Sequence, residues 1–170
     1  MTANLKEAVL AALAPIAADM AAVEKIIAAE MESDIPRVKE IGRYITSAGG
    51  KRMRPALLIL MARAMGDTSD NAPYFGAVIE ILHTATLMHD DVVDEGKMRR
   101  GRKTANARWD NNQAVLVGDF LYTRSFQMMI RQGNLGVMQA LADAANRLSE
   151  GEVLQLTNAG DPETTEERYF

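Results

Sequence analysis

Residues 74–94 read YFGAVIEILHTATLMHDDVVD, a nearly continuous apolar run that ends in a cluster of acids. The apolar part, residues 74–88, is longer than a typical strand of about five to six residues. It is also shorter than the roughly 20 residues that a transmembrane helix requires. We therefore predict a buried helix from about residue 73 to Val93, with the acids at its C-terminal end.

The sequence on both sides of this helix favours further helices. Ala, Leu, Met, Glu and Gln are common, only five prolines occur, and 5% of the residues are aromatic. No alternating runs bounded by hairpin turns stand out. Helices are predicted at 5–27 with a bend at Pro15, 36–46, 56–66, 111–132 and 135–159, and loops at 47–55 and 95–110. The predicted fold class is all-α.

The overall composition is that of an ordinary globular protein. The 170 residues are 48% hydrophobic and carry a net charge of −4, so we expect one domain over residues 1–170 and no nucleic-acid partner. The absence of cysteine excludes disulfides, zinc–thiolate sites and thiol nucleophiles, and it suits a cytoplasmic protein. No stretch of about 20 uninterrupted apolar residues occurs, so no transmembrane segment is expected.

The acids at the end of the long helix have the spacing of a metal site. Asp90 and Asp94 are four residues apart, so their carboxylates lie one turn apart on one face, and Asp91 points about 100° further round. Like charges repel, and the negative end of the helix dipole raises the free-energy cost of placing carboxylates there. A bound magnesium ion would lower that cost. A solvated acidic helix end is the alternative, and spacing alone does not decide between the two.

Basic residues near this helix suggest that the metal would serve a phosphate ligand. GGKRMRP (49–55) places Lys51 and Arg54 beside two glycines, and MRRGRK (98–103) adds paired arginines suited to bidentate phosphate contact. His83 lies two helical turns before the acids and can face the same cleft, with Glu80 near that face. Each element has a simpler interpretation, namely an exposed turn, a nucleic-acid patch or a core histidine. Together they indicate a diphosphate-binding site.

The motifs resemble those of the trans-type polyprenyl diphosphate synthases, which elongate isoprenoid chains head to tail. The resemblance covers nearly the whole chain and is carried by GGKRMRP (49–55), EILHTATLMHDDVVDEGKMRRGRKTAN (80–106), AVLVGDFLY (114–122) and GEVLQL (151–156). It implies an isoprenoid-synthase-type helical bundle. This chain would form the N-terminal portion of that bundle, with about six to seven helices.

The resemblance also implies a role for each site residue. Asp90 and Asp94 would hold Mg²⁺ that bridges to an allylic diphosphate, with Asp91 in support. Arg99 would grip the same diphosphate. Four residues would bind isopentenyl diphosphate: Lys51, Arg54, His83 and Arg100.

In this family, the size of the side chains four and five positions before the first aspartate of the acidic motif (here Asp90) sets the length of the product. Ala85 and Thr86 occupy the fifth and fourth positions before Asp90, and both are small. The resemblance therefore implies an open tunnel and a long product of around forty to fifty carbons, of the quinone side-chain type, as in octaprenyl or decaprenyl diphosphate synthases.

The family pattern also includes elements that do not occur in these 170 residues, namely a second aspartate-rich motif and a Lys-Thr pair. We therefore expect the chain to be the N-terminal part of a longer synthase and to be inactive by itself. A homodimer packed through 111–130 and 135–158, and peripheral membrane contact through the product, are further expectations. The alternatives are a non-catalytic regulatory subunit, a diphosphate-binding helical protein, a metal-dependent phosphohydrolase and a purely structural helix bundle.

Overall fold

The computed structural model describes residue 7 and residues 11–169, and the chain divides into two compact units that meet at Gln132 and Gly133. In the first unit a 3-10 turn, Ala14–Ile16, precedes four helices: α1 Ala17–Glu30, α2 Pro36–Thr46, α3 Met53–Ala64 and α4 Asn71–Val93. An antiparallel pair follows, β1 Met98–Arg99 and β2 Arg102–Lys103, and then α5 Ala105–Arg108 and α6 Asn111–Gln132. The second unit contains α7 Leu135–Asn158 and α8 Glu166–Tyr169.

Helix α4 is the central element of the first unit, where it packs against α6, α3 and α1. Its apolar residues Ala77, Val78, Ile81, Ala85 and Met88 are at most 1% exposed. Facing residues of α6 complete the core: Ala114, Val117, Leu121 and Met128. The predicted long buried helix is thus confirmed, and it carries the acidic cluster at its C-terminal end.

Local signals set the ends of α6 and the start of α7. The Asp110 carboxylate accepts a hydrogen bond of 2.7 Å from the backbone N–H of Gln113, and this bond lowers the pKa of Asp110. After α6, Gly133 has a φ of +66°, a conformation in which glycine needs no strain. The Asn134 side chain then caps α7 by accepting from the N–H of Val137 at 3.1 Å.

Three local predictions were wrong. Pro15 lies in a 3-10 turn, Ala14–Ile16, instead of bending a continuous helix. Leu5 and Val9, at the start of the predicted helix 5–27, lie outside the described residues. The segment 47–55 is not a loop throughout, since α3 begins at Met53. Pro55 is tolerated there because the first backbone N–H groups of a helix have no partner within it.

The predicted loop 95–110 contains a hairpin and a one-turn helix. Two-residue strands are joined by Arg100 and Gly101, which both have positive φ (52° and 76°), as tight two-residue hairpin turns require. Each strand is only two residues long, too short to show an alternating pattern, so no sequence pattern predicts them.

Six helices in the described part of the chain are longer than ten residues, in agreement with the predicted six to seven in an all-α fold. The single domain predicted for residues 1–170 stays a prediction. Helix α7 exposes several apolar side chains within its own unit: Leu148, Val153, Leu154 and Leu156. Of the helices described, none is both long and apolar enough to cross a membrane.

Candidate functional site

Helix α4 ends at its acidic cluster through a defined turn. The N–H of Gly96 bonds to the carbonyl of Asp91 at 2.9 Å, and the N–H of Glu95 to that of Val92 at 3.3 Å, the paired bonds of a Schellman motif. Glu95 takes the left-handed position with a φ of 51°. The turn leaves Asp94 exposed and Asp90 half-buried at the open end of the helix.

Asp91 lies in a different environment from the other two aspartates. It is buried, and Arg99 of β1 holds it: Nε lies 3.0 and 3.1 Å from the two carboxylate oxygens, and Nη2 lies 2.9 Å from Oδ1. The hydrogen bond from Arg99 to Asp91 raises the pKa of Arg99, as do the charges of Asp90 and Asp94. Asp91 therefore fixes the guanidinium of Arg99 near the acids.

The hairpin turn brings Arg100 to the glycine-rich segment. A Cβ added to Gly50 would lie 2.9 Å from Cζ of Arg100, so a larger residue at position 50 would displace this guanidinium. The two glycines of GGKRMRP suggested a backbone that a phosphate could approach closely. In the structure, the missing side chain of Gly50 makes room for the Arg100 guanidinium. The two basic segments predicted to bind phosphate therefore meet in space.

His83 faces the same cations. Burial lowers the pKa of His83, and the positive charges of Arg54, Arg100 and Arg99 lower it further, against the opposing charge of Glu80. The structure thus places His83 within electrostatic range of two other residues predicted to bind isopentenyl diphosphate, Arg54 and Arg100. Lys51 and Arg54 are both exposed.

Glu80 does not share the environment of the metal-binding candidates. It is 4% exposed, and its Oε1 accepts a hydrogen bond of 2.7 Å from Nη1 of Arg52. The prediction that Glu80 lies near the face of Asp90 and Asp94 finds no support in these contacts, because the buried carboxylate is used by an arginine.

A cleft between α2, α4 and the hairpin has Asp91, Arg99 and Arg100 in its lining, but not Lys51, Arg54 or His83. Apolar side chains line part of it, among them Ile45, Leu87 and Met88. The charged lining consists of one acid, Asp91, and five bases: Arg52, Arg99, Arg100, Arg102 and Lys103. Arg102 and Lys103 are exposed, and they also line the cleft. This excess of positive charge suits a polyanionic ligand.

An aromatic clamp, formed by Tyr44, Arg108 and Trp109, holds the hairpin against α2. The Tyr44 hydroxyl donates to the Lys103 carbonyl at 2.9 Å, and the Tyr44 and Trp109 rings meet edge to face at 5.2 Å. Cζ of Arg108 lies 4.3 Å from the centre of the Tyr44 ring and 4.8 Å from that of Trp109. Sequence reasoning missed this clamp, because Tyr44 and Trp109 are far apart in sequence and neither belongs to a recognisable motif.

Backbone strain is concentrated at the same place. Among the described residues, the non-glycine residues with positive φ are Arg52, Glu95 and Arg100. Each lies within or directly beside a segment predicted to bind metal or phosphate. Such conformations cost about 1–3 kcal/mol and cluster at functional sites, so their positions mark the cleft independently of its charge.

The comparison with known families agrees with this geometry. The family model described as polyprenyl synthetase matches residues 35–170, most of the chain. The chain belongs to the polyprenyl synthetase family.

Individual relatives of this polyprenyl synthetase chain are about twice its length. It is 52% identical to the octaprenyl diphosphate synthase of Escherichia coli K12 over 154 residues, which are 91% of this chain and 48% of that protein. It is 46% identical to the all-trans-nonaprenyl-diphosphate synthase (geranyl-diphosphate specific) of Rhodobacter capsulatus, with 93% and 49% covered. The chain therefore spans about half the length of the curated relatives it matches.

Solved structures show the same fold. The crystal structure of a decaprenyl diphosphate synthase from Rhodobacter capsulatus matches with a TM-score of 0.89 at 49% identity, covering 93% of this chain and 49% of that one. A polyprenyl synthase from Caulobacter crescentus CB15, solved in complex with calcium and isoprenyl diphosphate, gives a TM-score of 0.89 at 39% identity, covering 93% and 48%. The isoprenoid-synthase-type fold of this synthetase chain is thereby confirmed.

The two residues predicted to set product length differ in environment. Ala85 is completely buried in the core of the first unit, whereas Thr86 is half-buried and donates from Oγ1 to the His83 carbonyl at 2.9 Å. A larger side chain at position 85 would have to displace core residues of the first unit. Position 86 can therefore be enlarged with less disturbance of the fold.

The donor set at the end of α4 fits magnesium only in part. Asp90 and Asp94 supply the hard oxygen ligands that this ion prefers, while Asp91 is neutralised by Arg99. Within residues 11–169, no group of three or more His, Cys, Asp and Glu side chains is arranged to hold a metal. Two carboxylates fit a magnesium ion whose remaining ligands come from substrate phosphates and water.

Proposed function

We propose that this chain is the N-terminal half of a polyprenyl diphosphate synthase, which condenses isopentenyl diphosphate head to tail onto an allylic diphosphate. The observation that carries the proposal is the cleft of the first unit, where Arg99, Arg100, Arg102 and Lys103 lie beside a helix end that presents two aspartates. The relatives support it, since they are octaprenyl, nonaprenyl and decaprenyl diphosphate synthases. The long-chain product is part of the proposal.

The basic residues in and around the cleft divide between two diphosphates. Arg99, oriented by Asp91, binds the allylic diphosphate and stabilises the negative charge that grows as its carbon–oxygen bond breaks. Isopentenyl diphosphate is bound by four residues: Lys51, Arg54, His83 and Arg100. Mg²⁺ held by Asp90 and Asp94 would supply further positive charge for the leaving group. No protein nucleophile is required, because the double bond of isopentenyl diphosphate attacks the allylic carbon as the diphosphate leaves, and loss of a proton from the resulting cation forms the new double bond.

His83 binds as a neutral group in this proposal. Because burial and neighbouring arginines lower its pKa, the imidazole is uncharged at pH 7 in the ligand-free protein. A neutral imidazole donates one N–H, which suits a single hydrogen bond to a phosphate oxygen. The apolar part of the cleft, Ile45, Leu87 and Met88, helps to exclude water from the reacting carbons.

The decisive test is an elongation assay on the extended protein, by which we mean the full-length gene product that contains residues 1–170. Incubated with magnesium, an allylic diphosphate and labelled isopentenyl diphosphate, the extended protein is expected to form long-chain prenyl diphosphates. The 170-residue chain alone is expected to show negligible turnover. Efficient elongation by the short chain would contradict the need for the second half, and phosphate release without elongation would identify a phosphohydrolase instead.

Thr86→Phe in the extended protein is expected to shorten the product. A phenyl ring at this half-buried position narrows the path of the growing chain, whereas threonine leaves it open. Thr68→Phe is the matched control, since Thr68 is exposed in the segment between α3 and α4. Chromatography of the dephosphorylated products measures the length. An unchanged distribution for Thr86→Phe would refute a role for this position.

The proposed synthase is a cytoplasmic homodimer. Helix α6 supports a dimer because it exposes three large apolar side chains, Val115, Leu116 and Ile130, and exposed apolar surface can be buried in a protein interface. Elsewhere in the predicted interface range 111–130, Met129 is buried in the first unit and Phe120 and Phe126 are half-buried. Peripheral membrane contact would arise through the long apolar product.

A further inference from the structure

Arg52 lies between two residues proposed to bind isopentenyl diphosphate, Lys51 and Arg54, yet its own side chain points into the protein. The Arg52 side chain is only 11% exposed, and its backbone is left-handed with a φ of 47° immediately before α3. A non-glycine residue pays for this conformation, so the surrounding contacts must hold it in place.

Those contacts come from three separate elements. Nε and Nη2 of Arg52 bind the two carboxylate oxygens of Glu24 on α1 at 2.7 and 3.1 Å. Nη1 binds Glu80 on α4 at 2.7 Å, and Nη2 also lies 3.3 Å from the carbonyl of Thr46 at the end of α2. The Arg52 guanidinium therefore joins α1, α2 and α4. Arg52 itself lies in GGKRMRP (49–55), the segment predicted to bind phosphate between α2 and α3.

The chemistry of this network distinguishes Arg52 from its neighbours. Burial lowers the pKa of Arg52, but the hydrogen bonds to Glu24 and Glu80 outweigh this effect and raise it overall. Two carboxylates already neutralise the guanidinium, one of them buried at 5% side-chain exposure. A further anion would compete with both, so Arg52 is poorly suited to bind substrate directly.

We propose that Arg52 is a positioning residue for isopentenyl diphosphate: by tying the left-handed turn at residue 52 to Glu24 and Glu80, it sets the directions of Lys51 and Arg54. This inference rests on the proposed function, since Lys51 and Arg54 are taken as ligands of that substrate. Without the contacts of Arg52 to Glu24 and Glu80, residues 49–54 would relax and the side chains of Lys51 and Arg54 would move apart. Arg99 and the aspartates, which hold the other diphosphate, belong to different elements.

The chain offers a closely matched control in Arg63 near the other end of α3. Arg63 binds both oxygens of Asp19 on α1, with Nη2–Oδ1 at 2.6 Å and Nε–Oδ2 at 3.1 Å, and it also donates to the carbonyls of Asp67 and Ser69. It is thus another forked arginine that joins α3 to α1, but it lies away from the cleft. Lysine at either position keeps the charge and loses the fork.

The experiment compares Arg52→Lys, Glu80→Gln and Arg63→Lys in the extended protein. For Arg52→Lys and Glu80→Gln we expect the KM for isopentenyl diphosphate to rise about tenfold or more, with little change in the KM for the allylic substrate. Arg63→Lys is expected to lower the melting temperature by about as much as Arg52→Lys does. Unlike Arg52→Lys, it is expected to leave both KM values unchanged. Calorimetric titration with isopentenyl diphosphate gives the same comparison without turnover.

Several outcomes would overturn the proposal. If Arg52→Lys raises both KM values equally, or behaves like Arg63→Lys, Arg52 has only a structural role. If the unmodified extended protein binds isopentenyl diphosphate but forms no prenyl product, the proposed function fails, while the titration still tests Arg52. If the unmodified protein does not bind isopentenyl diphosphate, the inference fails with the assignment of the ligand.

Discussion

Asp90→Asn in the extended protein is expected to slow chain elongation by at least about a hundredfold. Asparagine keeps the size of the side chain but removes the negative charge that would hold magnesium at the end of α4. In enzymes generally, the loss of one electrostatic contact to a developing charge lowers kcat by about 10²–10³. The measurement is kcat with both substrates saturating, at several magnesium concentrations. The magnesium concentration for half-maximal rate is expected to rise as well.

Glu95→Gln is the control for this prediction. Glu95 is also acidic and exposed, and it follows Asp94 directly, but it occupies the left-handed position of the helix-terminating turn. Its neutralisation is expected to leave the rate within about twofold, because a surface charge of this kind contributes little. Equal losses for both variants would mean that only the net negative charge of the region matters, and an active Asp90→Asn protein would exclude Asp90 as a metal ligand.

Gly118→Leu is expected to lower the free energy of unfolding by about 1–3 kcal/mol. A Cβ at this position of α6 would lie 2.7 Å from Cδ2 of His89 on α4 and closer still to Nε2. The ring cannot turn away without cost, since Nε2 lies 3.3 Å from both the Val115 carbonyl and an Asp119 carboxylate oxygen. Replacing glycine inside a helix would by itself gain about 1 kcal/mol, so a net loss requires that the clash exceeds this gain. Chemical denaturation of the 170-residue chain measures the difference.

Gly151→Ala provides the comparison within the same chain. Gly151 lies inside α7, and a Cβ there would meet no atom within 4 Å. Only the helix propensity changes, so stability should stay constant or rise by up to about 1 kcal/mol. A Gly118→Leu protein as stable as the unmodified chain would show that α4 and α6 can separate without penalty, contrary to their close packing.

The elements predictable from sequence were those whose cause is local. The long apolar run predicted α4 because its length exceeds that of a strand, and Gly133-Asn134 marked the break between α6 and α7 through its own turn chemistry. Gly118 lies in the predicted helix 111–132, and its lack of a side chain lets His89 of α4 pack closely against α6. The spacing of Asp90 and Asp94 followed from the helical repeat alone.

The features that sequence reasoning missed depend on pairs of residues far apart in the chain. Arg52 reads as one base among several in GGKRMRP, and only the fold brings Glu24 and Glu80 to its guanidinium, each 28 residues away. The Tyr44 hydroxyl finds the Lys103 carbonyl across 59 residues. Asp91 was grouped with Asp90 and Asp94 by its sequence, but its burial against Arg99 gives it a different task.

The three left-handed residues around the cleft have a consequence for attempts to make this protein more heat-resistant. Glycine would relieve the backbone cost at each of them, because it takes a positive φ without steric strain. At Glu95 the exchange would remove only an exposed carboxylate. At Arg52 and Arg100 it would also remove a guanidinium that the cleft uses. At residue 52, however, glycine would also break the ion pairs with Glu24 and Glu80, so heat tolerance and affinity for substrate would both fall. The two properties therefore compete only at residue 100, and only position 95 can be optimised for stability alone.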